Sequence, residues 1–468
     1  MNANVFLGAA PGEIAVVGLG ASGRAAAELL ARDGHRVYAS DAGKSDAALG
    51  NAHALGLLGV AVDVGYHDLA RIGGAALVVA SPGVPPDAPP IAAARAGGVR
   101  VVGEIEIALH YLPGLRYIAV TGTNGKTTTT ALIGHILRGL GHDAVDAGNI
   151  GLPLATVALA ERRPAWVALE LSSFQLHDTP SVSPTVGVVT NLSPDHLDRY
   201  ADVDAYYADK RLMFANAHAG SVWVLNGDDA AVCEMARDVA GDKRYFAVRQ
   251  VVDADAGLVV HEDPHQSPTL WVDDAPLLDR DELALLGDHN VANALAAALA
   301  VVAADPAHAA AEGRARIADA LRSFRALEHR LEVVGEHGGV EWINDSKATN
   351  VSSTLVALEG MTRPYVLLLG GRHKGEPYTA LAEPFRRHGL RVLAYGESAP
   401  IVAADLAGLV PVEQVAGSFA DVVERARALA PPGAAVLLSP ACSSYDMFAN
   451  YAERGREFRR LAAGAGAR

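Results

Sequence analysis

Short runs rich in Val, Ile and Leu alternate along the chain with longer Ala-rich stretches whose apolar positions recur every three or four residues. That alternation is the signature of strands and helices laid down in turn. In the first part, Ile14–Val17, Arg36–Ser40, Ala76–Ala80 and Val99–Val102 read as strands and Ser22–Asp33 as a helix. Tyr111-Leu112-Pro113-Gly114 breaks the pattern and sets a boundary. Arg116–Val120 opens a second unit, with a helix at Thr127–Leu140 and strands at Trp166–Leu169, Thr185–Thr190 and Val222–Leu225. Tyr245 to Val272 alternates with a two-residue period between turn residues, which predicts a small antiparallel excursion. Asn290–Ala304 predicts a long helix, and a second boundary falls near Arg325–Glu328. Beyond it Val340–Ile343, Tyr365–Leu369, Arg391–Ala394 and Ala434–Leu438 are strands of a third unit, ending in an Ala/Gly-rich tail after Leu461 that is expected to fray. The pattern predicts an α/β protein of three domains, 1–114, 115–326 and 327–468, with mainly parallel sheets.

Composition narrows the partners. The net charge of −15 is the wrong sign for a protein held to nucleic acid by its general field. The longest apolar run, Ala294–Ala304, falls short of the roughly 18 residues that span a bilayer. The N-terminal MNANVFLGAAPGE has no basic region ahead of its apolar stretch, so no secretory signal is expected. Cys233 and Cys442 are far apart and lack metal-ligand spacing, which fits the reducing cytosol and no disulfide framework. A cytoplasmic protein without nucleic-acid or membrane partners is expected.

Two glycine-rich loops carry the first chemistry. Gly18-Leu19-Gly20-Ala21-Ser22-Gly23 lies between a strand and a helix, with Asp41 ending the next strand. Small residues could merely serve a tight turn there, but the full context favours a nucleotide-diphosphate site, without saying which nucleotide. Gly122-Thr123-Asn124-Gly125-Lys126-Thr127-Thr128 also follows a strand and opens a helix. Its backbone N–H groups suit phosphates, Lys126 suits the terminal phosphates and Thr127 suits Mg²⁺. Val120 stands where the generic loop has its first glycine, so this is a shortened variant.

Glu170 and His196 fall at strand C-terminal ends, where α/β sheets bind ligands, and could complete Mg²⁺ shells. Alone they read as a helix cap and a loop histidine; sharing a sheet edge with Lys126 favours the functional reading. Lys210, in the helical stretch Asp204–Ala217, reads by itself as a solvated lysine. Asn290 and Asn293 lie one turn apart, with helix capping by Asn290 the simpler reading. The third unit places His329-Arg330, Asn344–Asn350, Gly370–Lys374 and Ser439–Asp446 beside its strands, which suggests a second binding face for carboxylates and phosphate.

Gly122–Thr128 resembles the ATP loop of the Mur ligases and folylpolyglutamate synthases. Glu170-Leu171-Ser172-Ser173-Phe174-Gln175-Leu176, Asp195-His196-Leu197-Asp198-Arg199-Tyr200, Asn344–Asn350 and Ser439–Asp446 resemble the D-glutamate-adding branch of the Mur ligases, in order from Gly18 to Phe458. That resemblance implies a Rossmann-like first domain, a P-loop-like central ATPase domain and a Rossmann-like third domain. It implies UDP-substrate contacts from Ser22, Asp41, Gly83 and Asn149, with His196 also reaching the muramoyl-alanyl portion. ATP would be held by Gly122, Thr123, Asn124, Gly125, Lys126, Thr127, Thr128, Asn290, Asn293, Arg330 and Asp345. Two Mg²⁺ ions would be held by Thr127, Glu170, His196 and a carbamylated Lys210. Lys347, Thr349, Lys374, Ser444, Tyr445 and Tyr451 would surround the amino acid, with Lys126, Glu170, His196, Lys210 and Lys347 as the catalytic set.

The reaction so implied is ATP-dependent joining of D-glutamate to UDP-N-acetylmuramoyl-L-alanine through an acyl phosphate, by a monomer. Ala42-Gly43-Lys44 departs from a family pattern of hydroxyl then basic residue, leaving Lys44 as a substitute, and Arg372-His373 adds basic character beside Lys374. The alternatives are another carboxylate–amine ligase such as a folylpolyglutamate synthase, which needs no Gly18–Asp41 fingerprint, and an NAD-dependent oxidoreductase, which leaves Gly122–Thr128 unexplained. A nucleotide-binding regulatory protein without ligase activity is a further one, opposed by the completeness of the catalytic set.

Overall fold

The computed structural model describes residues 12–196, 199–249, 254–263 and 265–464. Most of the N-terminal stretch, Leu197 and Asp198 of the histidine motif, part of the Tyr245–Val272 stretch and the last four residues lie outside the described residues.

Three sheets carry the chain. The first has strands β1 (Ile14–Val17), β2 (Val37–Asp41), β3 (Ala61–Val64), β4 (Leu77–Ala80) and β5 (Val101–Gly103) in the order β3-β2-β1-β4-β5, all parallel. The chain moves to opposite sides of β1 at this point, so the loops after β1 and β4 open a crevice between them, the place where such sheets bind ligands.

The second sheet contains β6 (Tyr117–Thr121), β7 (Ala144–Gly148), β8 (Trp166–Glu170), β9 (Val186–Val189), β10 (Val222–Asn226), β11 (Asp242–Ala247), β12 (Ala256–Val259), β13 (Thr269–Val272) and β14 (Ala275–Asp279). Its order is β14-β13-β12-β11-β10-β9-β6-β8-β7. β6 is flanked by β8 and β9, so three loop starts converge beside the glycine-rich loop. The expected antiparallel excursion is real but begins later: β11 and β12 pair parallel, and only β12-β13-β14 form antiparallel hairpins.

The third sheet joins β15 (Glu332–His337), β16 (Val340–Asn344), β17 (Tyr365–Gly370), β18 (Gly389–Tyr395), β19 (Val412–Gln414) and β20 (Ala435–Leu438) in the order β15-β16-β20-β17-β18-β19. The clusters Asn344–Asn350, Ser439–Asp446 and Gly370–Lys374 follow the adjacent strands β16, β20 and β17, and therefore share one edge.

The helix Asp288–Ala304 packs on β9–β13 of the second sheet, beside the helix Lys126–Gly139 that covers β6–β8, and almost its whole length is buried. That explains an Ala- and Val-rich sequence with no polar face. The helix read at Asp204–Ala217 runs only over Val203–Arg211, with a short 3-10 turn after it.

Two buried glutamates join the first and second units. Glu106 accepts from the Ser181 backbone N–H (2.9 Å) and hydroxyl (2.7 Å), while Glu104 accepts from the Ala155 N–H that opens the helix Leu154–Leu159. The second oxygen of Glu104 is buried without a partner, and burial pushes its pKa up to about 7. A carboxyl whose folded pKa is raised contributes stability fully present below its unfolded pKa of about 4.5 and lost as pH rises through about 7. Glu104→Gln, which stays neutral, should be more stable than the parent at pH 8 by up to about 3 kcal/mol and indistinguishable at pH 4. Urea unfolding at the two pH values checks this; equal stabilities at pH 8 reject it.

Candidate active site

The crevice of the first sheet is a cleft of about 700 Å³ lined by Gly18, Ser22, Asp41, Gly83 and Asn149, among others. Its walls explain the glycine spacing. A Cβ on Gly23 would sit 1.8 Å from the Gly18 carbonyl oxygen, so the helix can pack on the loop only as glycine. Gly20 has open space where its Cβ would be, and the helix Ala21–Arg32 begins there without a side-chain cap. Free N–H groups facing a cleft suit a diphosphate. Asp41 accepts from the backbone N–H groups of Leu19 (2.7 Å) and Gly43 (2.7 Å), so it shapes the loop. Lys44 is exposed and lies over Gly65.

In the second sheet, β6 runs into Gly122–Gly125 and the helix Lys126–Gly139. Gly122 (φ 139°) and Gly125 (φ 80°) take backbone conformations that suit glycine, and a Cβ on Gly122 would lie 2.0 Å from Thr190 Oγ1. The Lys126 ammonium donates to the Gly122 (2.9 Å) and Thr123 (2.7 Å) carbonyls and so curls back over its own loop. The Asn191 side chain holds Asn124 from both sides, accepting from its N–H (2.8 Å) and donating to its carbonyl (3.0 Å).

Glu170, at the end of β8, is buried; Oε1 accepts from Asn149 Nδ2 at 2.8 Å, and Oε2 has no partner. It is not a helix cap, because Ser172 caps the following helix. An orphaned carboxylate oxygen next to a phosphate loop is a cation-binding feature. No group of three His, Cys, Asp or Glu side chains clusters for a metal among the described residues. One free carboxylate oxygen beside a phosphate loop fits Mg²⁺, an ion usually held by one or two carboxylates with phosphate oxygens and water completing its shell.

Lys210 is buried, only 1 % exposed, and donates to the Gly122 carbonyl at 2.6 Å. Burial, then Lys126, push its pKa well below the ordinary lysine value. Solvated it is not. Its ammonium lies 4.5 Å from the centre of the Tyr206 ring, and the His196 ring meets Tyr206 at 6.0 Å and Phe174 at 5.2 Å. His196 has φ 56°, a strained conformation that its Asp195 neighbour supports by accepting the His196 N–H at 2.8 Å.

The third sheet closes over this loop. Thr127 Oγ1 accepts from Arg330 Nη2 (2.9 Å) and lies 3.2 Å from Lys347 Nζ. Asn124 donates to Ser352 Oγ (3.0 Å) and accepts from Ser353 Oγ (2.8 Å); Asn350 donates to Asp195 (2.9 Å). Between the units is a cavity of about 170 Å³ lined by Asn124, Gly125, Thr128, Asn290, Asn293, Arg330 and Asp345, among others. Asn290 is inside its helix and donates back to the Leu286 carbonyl (2.8 Å) rather than capping. Asn293 donates to Asn290 (3.1 Å) and accepts from Thr129 (3.1 Å), tying this wall to the phosphate loop. Burial raises the Asp345 carboxyl to about 7, and burial with Arg330 and Lys126 nearby lowers Lys347 to about 7.

The amino-acid set is placed less tightly. The Tyr451 ring lies 5.4 Å from Lys347 Nζ, Ser444 is buried and Tyr445 is exposed. Thr349 and Lys374 are partly buried. Arg372 and His373 do not enlarge the basic face: Arg372 pairs with Glu397 at 3.1 Å and His373 meets the Tyr378 hydroxyl at 2.9 Å. The sequence reading missed Asp195, Asn191, Tyr206 and His289, which lines the cavity and whose pKa burial lowers to about 4. For both Asp195 and Asn191 a signal was present, since Asp195 opens the motif Asp195–Tyr200 and Asn191 directly follows the strand Thr185–Thr190. Nothing local marks Tyr206.

Comparison with known proteins covers all three units. Residues 12–103 match the N-terminal domain of MurD-like Mur ligases, 120–301 the Mur ligase middle domain and 329–442 the Mur ligase glutamate ligase domain. The UDP-N-acetylmuramoylalanine–D-glutamate ligase of Anaeromyxobacter dehalogenans is 45 % identical over 96 % of this chain and 97 % of its own. The enzyme of the same name from Solibacter usitatus is 41 % identical over 96 % and 97 %. Among solved structures, UDP-N-acetylmuramate–alanine ligase MurC of Thermotoga maritima superposes with a TM-score of 0.61 at 19 % identity, covering 97 % of this chain and 100 % of that one. A pseudomurein peptide ligase type C of Methanothermus fervidus gives 0.60 at 18 %, covering 97 % and 99 %. Those two likenesses concern the three-domain fold.

Proposed function

The chain belongs to the Mur ligase family, and from that premise we propose that it is the ATP-dependent ligase that joins D-glutamate to UDP-N-acetylmuramoyl-L-alanine in peptidoglycan precursor synthesis. One observation carries the reading beyond kinship. Asn149 lines the nucleotide cleft of the first unit and donates to Glu170, beside the phosphate loop of the second. A substrate whose diphosphate lies at Gly18–Ser22 and whose far end is a carboxylate would thus deliver that carboxylate to the γ-phosphate of ATP.

Domains 1–114, 115–326 and 327–468 bind the UDP substrate, ATP and the amino acid respectively. The carboxylate attacks the γ-phosphate, giving acyl phosphate and ADP; the D-glutamate amine then attacks the carbonyl, and a tetrahedral intermediate collapses to amide and phosphate. Such transfer needs positioning and charge neutralisation. Lys126, Arg330 and Lys347 supply cations against a net charge of −15, and the closed third unit excludes water from the acyl phosphate. Asn290 and Asn293 face adenine, and Asp345 the ATP from the third unit. Glu170, Thr127, His196 and a carbamylated Lys210 would hold two Mg²⁺ ions, which would supply neutralisation of phosphate charge. Ser22, Asp41 and Gly83 contact the UDP; Thr349, Lys374, Ser444, Tyr445 and Tyr451 contact D-glutamate. The enzyme so proposed is a cytoplasmic monomer, and no helix among the described residues is long and apolar enough to cross a membrane.

Phosphate release from ATP, measured with UDP-N-acetylmuramoyl-L-alanine and each of D-glutamate, L-glutamate and other amino acids, tests the assignment. Release should require the UDP substrate and D-glutamate together. Saturable NADH binding without UDP-substrate binding would sink it in favour of an oxidoreductase. Lys374→Ala should raise the KM for D-glutamate about tenfold or more while moving that for ATP little, because a carboxylate loses a charge-assisted partner of about 1.5–3 kcal/mol. Equal changes in both would place Lys374 elsewhere.

A further inference from the structure

Arg454 is among the largest fully buried side chains of the protein; its charge acts on the buried Asp345 carboxyl, but none of its hydrogen bonds among the described residues goes to a carboxylate. Its guanidinium is satisfied by neutral oxygens. Nε donates to Ser346 Oγ (2.9 Å), Nη2 to the carbonyls of Ser346 (2.8 Å) and Cys442 (3.1 Å), and Nη1 to that of Gly370 (3.4 Å). Those three carbonyls lie just after β16, just after β20 and at the last residue of β17, where the three loops begin.

Burying an unpaired charge is an expensive way to fill a core, since an apolar side chain of similar volume avoids the desolvation. What the fork provides instead is geometry: its donors point in fixed directions in one plane, so three loops are set relative to each other by one rigid group. Ser346 immediately precedes Lys347, Cys442 lies two residues before Ser444, and Gly370 lies four before Lys374. The helix Tyr451–Ala462 that carries Arg454 also begins with Tyr451, whose carbonyl accepts from Ser346 Oγ at 2.8 Å. Gly371 is left-handed (φ 135°), and a Cβ there would lie 2.2 Å from the Ser443 carbonyl oxygen, so these loops are in close contact at the fork.

We propose that Arg454 is a positioning residue for the amino-acid acceptor: it holds the loops bearing Lys347, Lys374 and Ser444 in the register that D-glutamate requires, without touching the substrate. This rests on the reading that the acceptor binds on the third unit.

Arg454→Lys keeps the charge but offers one compact donor centre that cannot serve all three loops. Steady-state kinetics should show the KM for D-glutamate rising about 10–100-fold, as small misplacements of binding groups do, with the KM for ATP changed by less than about threefold. Phosphate released per amide formed should also rise, because a poorly placed amine leaves the acyl phosphate to water. Ser346→Ala removes the Nε partner without disturbing core volume, and should show the same split at smaller size even where Arg454→Lys folds poorly. Lys374→Ala is the control. Should it raise the KM for D-glutamate while both Arg454→Lys and Ser346→Ala leave it unchanged, or raise both KM values equally, the assignment of Arg454 is overturned and the acceptor reading stands. Should none of the three alter it, the acceptor reading itself fails and the inference with it.

Discussion

Lys210→Ala is expected to lose nearly all turnover, about 10³-fold or more, and to regain part of it in acetate. The lysine is buried against the Gly122 carbonyl and near Lys126, where a second ammonium is unfavourable. Its depressed pKa raises the fraction of neutral amine, the form that reacts with CO₂. In that reaction the nitrogen forms a bond to carbon, one proton leaves to solvent, and a neutral side chain becomes a carbamate of charge −1. A repelling cation is thereby replaced by two oxygens suited to a divalent ion. Acetate added to the alanine variant places a carboxylate in the vacated space. Lys210→Arg should stay inactive with or without acetate, because guanidinium keeps the positive charge. The assay is amide formation in both variants across an acetate series, and near-normal turnover in either would reject the carbamate.

The second large effect belongs to Glu170. Its Oε2 is buried without a partner, while Oε1 is held by Asn149. Glu170→Gln preserves shape and can keep the Asn149 contact, yet it replaces the free oxygen by an amide NH₂ and removes the negative charge that faces Lys126, Lys347 and Arg330. Turnover should fall about 10²–10³-fold, with half-saturation by Mg²⁺ shifting to higher concentration and less change in the KM for the UDP substrate. A Mg²⁺ titration of initial rate checks this, supported by paramagnetic detection of Mn²⁺ binding in the presence of ATP. An unaltered Mg²⁺ dependence would assign Glu170 to orienting Asn149 alone.

Much of this protein was readable before folding. Strands buried on both faces, such as β1, β8 and β17, announce themselves as continuous apolar runs, and the loop Gly122–Thr128 is legible because its chemistry is local: glycines for turns, then Lys and Thr at one helix start. Edge and short strands escaped the reading. β7 (Ala144–Gly148) and β19 (Val412–Gln414) are only partly buried, so their sequences lack a full apolar signal.

Three-dimensional adjacency decided the rest. Strand order placed β8 and β9 beside β6, which no spacing in the chain encodes, and so brought Glu170 and the Asp195-His196 segment to Lys126. Arg330 and Lys347 meet Thr127 across 203 and 220 residues. Burial, which depends on everything packed around a group, turned Lys210 from a surface lysine into an amine with a depressed pKa, while an exposed ion pair ties Arg372 to Glu397. Arg454 shows the same limit: in the sequence it is one arginine on a charged helix, and only the convergence of three loop carbonyls gives its charge a place. Periodicity and local motifs determined the elements and the phosphate loop because their physics is complete within a few residues. The electrostatics of the site belongs to the tertiary structure, because distance and desolvation exist only once the chain has folded.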